Sequence, residues 1–128
     1  MTQKTKPVKI MLVEDDEFMV QLLTTLLEME GYDICKFSDG DEFFEVLSQE
    51  LPDIVFMDVY LEKFSQEDIN GLTLLDQIRG RPEFEHTKII MSSGINFKSE
   101  SKKQGADGFL QKPYLPDNLI SLLEEVLL

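Results

Sequence analysis

The sequence predicts an α/β fold: a doubly wound sheet of five parallel strands covered by helices on both faces. Three observations carry that expectation. Short apolar runs alternate with segments of helical periodicity, and the connections between them are short. The runs themselves are continuous rather than alternating, as in strands buried on both faces of a parallel sheet. The 128 residues suit one domain, 1–128, with a core from about residue 7.

Val8 to Val13 reads as the first strand, and Glu14-Asp15-Asp16-Glu17 follow at once. Met19, Leu22, Leu23, Leu26 and Leu27 recur at helical spacing, and Gly31 stops that helix. Tyr32 to Phe37 forms a second strand, with Cys35 as a small buried apolar group. Ser38 or Asp39 can cap a second helix whose Phe43, Phe44, Val46 and Leu47 face the core. Leu51-Pro52 ends it and leads into the third strand, Ile54 to Asp58. A polar stretch from Glu62 to Asn70 precedes a third helix built on Leu72, Leu74, Leu75 and Ile78, closed by Gly80 and Pro82. His86 falls in the next connection as a solvated residue. Thr87 to Met91 is the fourth strand, ending in Ser92-Ser93-Gly94, and Ile95 to Gln104 is a weak fourth helix. Asp107 to Leu110 is a short fifth strand ending at Gln111-Lys112-Pro113. Pro116 opens a last helix carried by Leu119, Ile120, Leu122, Leu123, Val126 and Leu127.

A net charge of −13 and a pI near 4.3 argue against nucleic acid or an anionic membrane as a direct partner. No apolar run approaches a membrane span, and the polar start lacks the apolar core of a signal peptide. A single cysteine cannot form an internal disulfide, which suits a reducing compartment. The expected location is cytoplasmic.

In a doubly wound sheet, ligands bind outside the carboxyl ends of the strands. Those ends bring Glu14-Asp15, Asp58, Ser92-Ser93 and Lys112 to one rim. Capping of the first helix is an equally good local reading of the acidic run at 14–17. Gathered at one site, however, the carboxylates repel one another, and a divalent cation relieves that repulsion. Oxygen ligands without Cys or His describe Mg²⁺ better than Zn²⁺. Such a site draws in a phosphoryl group, with Lys112 and a Ser hydroxyl as further contacts, and a neighbouring carboxylate is a plausible nucleophile.

These residues resemble the receiver domains of two-component response regulators, of the chemotaxis-Y-like kind. The likeness spans nearly the whole chain. It rests on Ile10-Met11-Leu12-Val13-Glu14-Asp15-Asp16, Ile54-Val55-Phe56-Met57-Asp58, Gly71-Leu72, Ile89-Ile90-Met91-Ser92-Ser93-Gly94 and Gly105-Ala106-Asp107-Gly108-Phe109-Leu110-Gln111-Lys112-Pro113, in that order. The resemblance implies a strand order of 2-1-3-4-5 and makes Asp58 the phosphoacceptor. It also implies that Asp15 binds Mg²⁺ directly and Glu14 through water, with the backbone carbonyl of Tyr60 as a further ligand. Ser93 takes the place of the family's switch hydroxyl, Lys112 that of the phosphate-contacting ammonium, and Phe109 that of the aromatic switch. Lys112-Pro113 matches a cis peptide. Tyr60 and Ile95 fall where receivers flank the path of the hydrolytic water.

Two departures concern the loop and the switch. Glu62 stands where the family usually has a proline, and the 62–70 loop is longer than is typical, with Phe64 and Ile69 as a candidate partner contact. Phe109 replaces the commoner tyrosine, so this switch has no phenolic hydroxyl.

The implied function is a phosphorylation-dependent switch that catalyses only its own phosphorylation and dephosphorylation. A histidine kinase or phosphotransfer protein supplies the phosphoryl group, and the face of the fourth helix, fifth strand and fifth helix controls a downstream partner. The chain ends after its last helix, so no output domain is expected on it: either it works alone by binding a partner, or it is one piece of a longer protein. A phosphohydrolase acting on small substrates, and an interaction module with a relic site, are the competing readings.

Overall fold

The computed structural model describes residues 6–37, 42–61 and 70–128. Five parallel strands form one sheet in the order β2-β1-β3-β4-β5. They are β1 (Lys9–Val13), β2 (Asp33–Lys36), β3 (Ile54–Asp58), β4 (Lys88–Ser93) and β5 (Gly108–Gln111). The helices are α1 (Glu17–Met29), α2 (Phe43–Glu50), α3 (Gly71–Arg79), α4 (Lys98–Lys103) and α5 (Pro116–Leu127). No helix among the described residues is long and apolar enough to cross a membrane.

The pleat of the three central strands divides the core in two. Ile10, Leu12, Ile54, Phe56 and Ile90 point to one face, where Leu23 and Leu27 of α1 and Leu119 and Leu123 of α5 cover them. Met11, Val13, Val55, Met57, Ile89 and Met91 point to the other, beneath α2 and α3. Each such side chain, withdrawn from water, contributes about 1.5–3 kcal/mol before the entropy of ordering it is counted. This two-sided burial explains why the strands read as unbroken apolar runs. It also fixes the level at which each strand stops. Val13 pairs with Met57, Asp58 with Ser92 and Ser93 with Gln111, so the polar strand ends line up.

Several element limits differ from the sequence expectation, each for a local reason. β4 runs on through Ser92 and Ser93 because both pair with β5. α4 starts later than Ile95: Ser93 Oγ accepts from Ile95 N–H and Asn96 Oδ1 from Lys98 N–H, which holds 93–97 in turns. α2 is capped by Glu42, whose carboxylate accepts from Glu45 N–H; the expected caps Ser38 and Asp39 lie outside the described residues. α1 is capped by Asp16, which accepts from Phe18 and Met19 N–H, so capping and a carboxylate site share the acidic run. Leu22 is not inside: it is 52% exposed at the edge of the α1 stripe. His86 is exposed as expected. Cys35 is half-buried, and burial pushes its thiol up to about 11, so it stays protonated and inert.

The far end of the sheet holds an unanticipated clasp. Arg79 at the end of α3 donates to the carbonyls of Gly105 (2.9 Å), Phe84 (3.2 Å) and Thr87 (2.8 Å), and to Asp107 Oδ2 (2.9 Å). Asp107 Oδ2 also accepts from Ile89 N–H. Gly105 sits at φ +102 with Arg79 packed over it, leaving no room for a Cβ. Arg79→Ala should strand these partly buried carbonyls and lower unfolding free energy by about 2–4 kcal/mol in urea melts. A loss below about 0.5 kcal/mol, the level of an ordinary surface change, would show that water replaces the guanidinium without cost.

Candidate functional site at the carboxyl rim

The rim of the sheet gathers the residues that the sequence placed there. Glu14 follows β1 directly, Asp58 ends β3, Ser93 ends β4 and Lys112 follows β5. Glu14, Asp15 and Asp58 each present a carboxylate oxygen, and these lie within 4.8 Å of one another. Glu14 is buried and Asp58 and Asp15 are part-buried. Lys112 Nζ reaches across, donating to Glu14 Oε1 at 3.0 Å and to Asp58 Oδ2 at 3.2 Å. The backbone holds the ends of β3, β4 and β5 in register: Ser93 O accepts from Lys112 N–H, and Ser92 O accepts from Val59 N–H.

Gly71 positions the site in a way that composition does not reveal. Its N–H donates to Val59 O at 2.7 Å, and a Cβ built on it would lie 2.2 Å from the carbonyl oxygen of Asp58. Only glycine lets α3 approach the acceptor strand this closely. Asn70 caps α3, accepting from Thr73 N–H.

The remaining expected residues fall around this centre. The Lys112–Pro113 peptide is cis. Phe109 is partly buried against the Met91 side of the core, together with Phe97. Tyr60 and Ile95 are exposed, and the Tyr60 ring meets Phe97 edge-on with centroids 6.2 Å apart. Ser93 is buried, with its hydroxyl oxygen on Ile95 N–H. Glu62, Phe64 and Ile69 of the long loop lie outside the described residues. Sequence reasoning missed Tyr114, which packs against Phe56 and turns its buried hydroxyl toward the same region. A phenol two residues after a strand-end lysine carries no periodic signal.

Burial and the neighbouring Glu14 push the Asp58 carboxyl up to about 6, although Lys112 pulls the other way. Burial alone would pull Lys112 down, but its bond to Glu14 and the charges of Asp58 and Glu14 outweigh that and hold it up. The set fits a hard divalent cation: three carboxylates, no soft ligand, and repulsion that one ammonium leaves unrelieved.

Asp58 therefore ionises at a cost. Its folded pKa lies above that of an unfolded carboxylate, so the folded protein binds the extra proton, and stability falls as pH rises from about 4 through about 6. Without divalent ions, Asp58→Asn should be more stable than wild type by about 1–3 kcal/mol at neutral pH, and the gap should close toward pH 4. Urea melts at the two pH values check this; equal stability at neutral pH contradicts it.

Comparison with known proteins agrees with this geometry. The family model for the response regulator receiver domain matches residues 10–124. The phosphate regulon transcriptional regulatory protein PhoB of Rhizobium meliloti is 33% identical over 122 residues, covering 93% of this chain and 52% of its own. This chain thus spans about half the length of that relative. A putative response regulator from Chloroflexus aurantiacus superposes with a TM-score of 0.83 at 28% identity, over 95% of this chain and 98% of that one. The chemotaxis response regulator CheY4 of Vibrio cholerae gives a TM-score of 0.81 at 25% identity, over 94% and 99%. With the fold, the rim and the matched residues in agreement, the chain belongs to the response regulator receiver domain family.

Proposed function

We propose that this domain is a phosphoacceptor switch in which Asp58 takes a phosphoryl group from a histidine kinase or a histidine phosphotransfer protein. The convergence of Glu14, Asp15 and Asp58 within 4.8 Å, faced by Lys112, carries the reading. Mg²⁺ would be held by these carboxylates and the Tyr60 carbonyl, and when bound it offsets the negative charge of the carboxylates and of an incoming phosphoryl group. An Asp58 oxygen attacks phosphorus as the bond to the donor nitrogen breaks, and the electron pair of that bond returns to the donor. Lys112 is already within 3.2 Å of Asp58 and pairs with a phosphoryl oxygen. Ser93 accepts from Ile95 N–H, which leaves its own proton for a second phosphoryl oxygen.

That contact pulls on the turn leading to α4. A groove of about 340 Å³ lined by Lys98, Ser101, Phe109 and Leu122 lies on the α4-β5-α5 face, giving Phe109 and its surroundings room to repack. This face is the one that a downstream partner reads. On the donor side, an apolar groove of about 570 Å³ between Leu22, Leu26, Pro113 and Pro116 shares Lys112 with the acidic site. A protein donor reaching Asp58 covers it. The domain's chemistry is confined to its own phosphorylation and dephosphorylation, and its setting is the cytoplasm.

Intact mass before and after treatment with Mg²⁺ and a small acyl-phosphate donor tests the proposal. Wild type should gain one phosphoryl group and Asp58→Asn none. Equal labelling of the variant refutes the assignment, and sustained turnover of free phosphoesters would point to a phosphohydrolase instead.

The phosphorylated state should be long-lived. Tyr60, leaning on Phe97, and Ile95 present apolar surface beside the site and offer a hydrolytic water little to orient it. Losing that positioning adds about 1–3 kcal/mol to the barrier, roughly a ten- to hundredfold slower decay. Tyr60→Asn and Ile95→Glu should therefore shorten the lifetime in a decay time course. No change in either variant rules the shielding out.

A further inference from the structure

Tyr114 enters the α1–α5 face of the core, its ring centroid 6.3 Å from that of Phe56. Its hydroxyl is buried and meets no protein partner among the described residues. With Glu14, Asp58, Ser92 and Lys112 it lines a cavity of about 10 Å³. That is room for about one water, which needs two to four polar partners to stay. Ser92 Oγ is committed as a donor to Leu110 O at 2.8 Å. Tyr114 Oη has an uncommitted proton and lone pairs, and the carboxylates of Glu14 and Asp58 keep acceptor capacity beyond the bonds they receive from Lys112 and, for Glu14, from Asp16 N–H.

We infer that Tyr114 is a positioning residue for the acidic site: its hydroxyl anchors one water in this cavity, and that water donates a hydrogen bond to the Glu14 or Asp58 carboxylate. Leucine and valine side chains make up much of the remaining wall, so a phenyl ring in place of the phenol removes one of the few polar partners that hold the water. The bridging water turns a dipole toward carboxylates that a single ammonium does not neutralise, and so fixes the orientation of an oxygen that would face a cation. Phe109, the aromatic at the other side of the sheet, has no hydroxyl. The phenol of this domain thus supports the site from beneath rather than reporting from the switch position.

The inference rests on the proposed reading of Glu14, Asp15 and Asp58 as an Mg²⁺ site, and the test separates the two. Calorimetric titration of the full chain with Mg²⁺, for wild type and Tyr114→Phe, should show affinity falling roughly three- to tenfold in the variant, the effect of one lost hydrogen bond. A merely structural role would move the thermal midpoint of the metal-free protein and leave Mg²⁺ affinity alone. High-resolution crystal structures of both metal-free proteins should show a water within hydrogen-bond distance of Tyr114 Oη in wild type and none in the variant. Equal Mg²⁺ affinity, or a dry cavity in wild type, overturns the role of Tyr114 alone. A wild type that binds no Mg²⁺ overturns the site reading and this inference with it.

Discussion

One ammonium sits between two carboxylates at the carboxyl rim of the sheet, and the rest of the site is arranged around that contact. Lys112 can reach Glu14 and Asp58 together only because β1, β3 and β5 stop at matched levels, with β4 between β3 and β5. Those levels follow from the register of apolar side chains buried on both faces. A slip of one residue in any central strand would turn its buried side chains to the opposite face and carry its charged end off the rim. The hydrophobic core and the charged site are therefore one specification, written once in the lengths of the apolar runs.

The pairing is incomplete by design of the charges. Three acids face one base, and burial raises the cost of the negative charge on Asp58. A fully compensated cluster would be a static structural feature with little affinity for anything more. The uncompensated one keeps an electrostatic demand that a divalent cation can meet. The demand is tolerable because the central strands beneath are anchored by apolar side chains buried on both faces.

The sheet, its helices and the charged rim were legible because each depends on local pattern: apolar runs, helical spacing, and the residue just past each run. What stayed hidden depends on contacts between distant segments. Arg79 reads as an ordinary helix-end cation, yet its guanidinium ties four backbone or side-chain acceptors from residues 84 to 107. Gly71 belongs to the motifs that carry the resemblance, but its constraint, the nearby Asp58 carbonyl, shows only in the fold. The start of α4 was misread because Ile95 suits a helix, while the Ser93 and Asn96 side chains hold the chain in turns. Tyr114 gave no signal because a tyrosine among apolar residues is indistinguishable in sequence from a core aromatic.

The bond from Gly71 N–H to Val59 O closes the connection between the acceptor strand and α3 at its base. Val59 is in turn tied to Ser92, so both ends of the loop are anchored on the sheet itself. Val59 lies between Asp58 and Tyr60, so its two backbone bonds hold the acceptor carboxylate and the neighbouring candidate metal-binding carbonyl on one fixed stretch of chain.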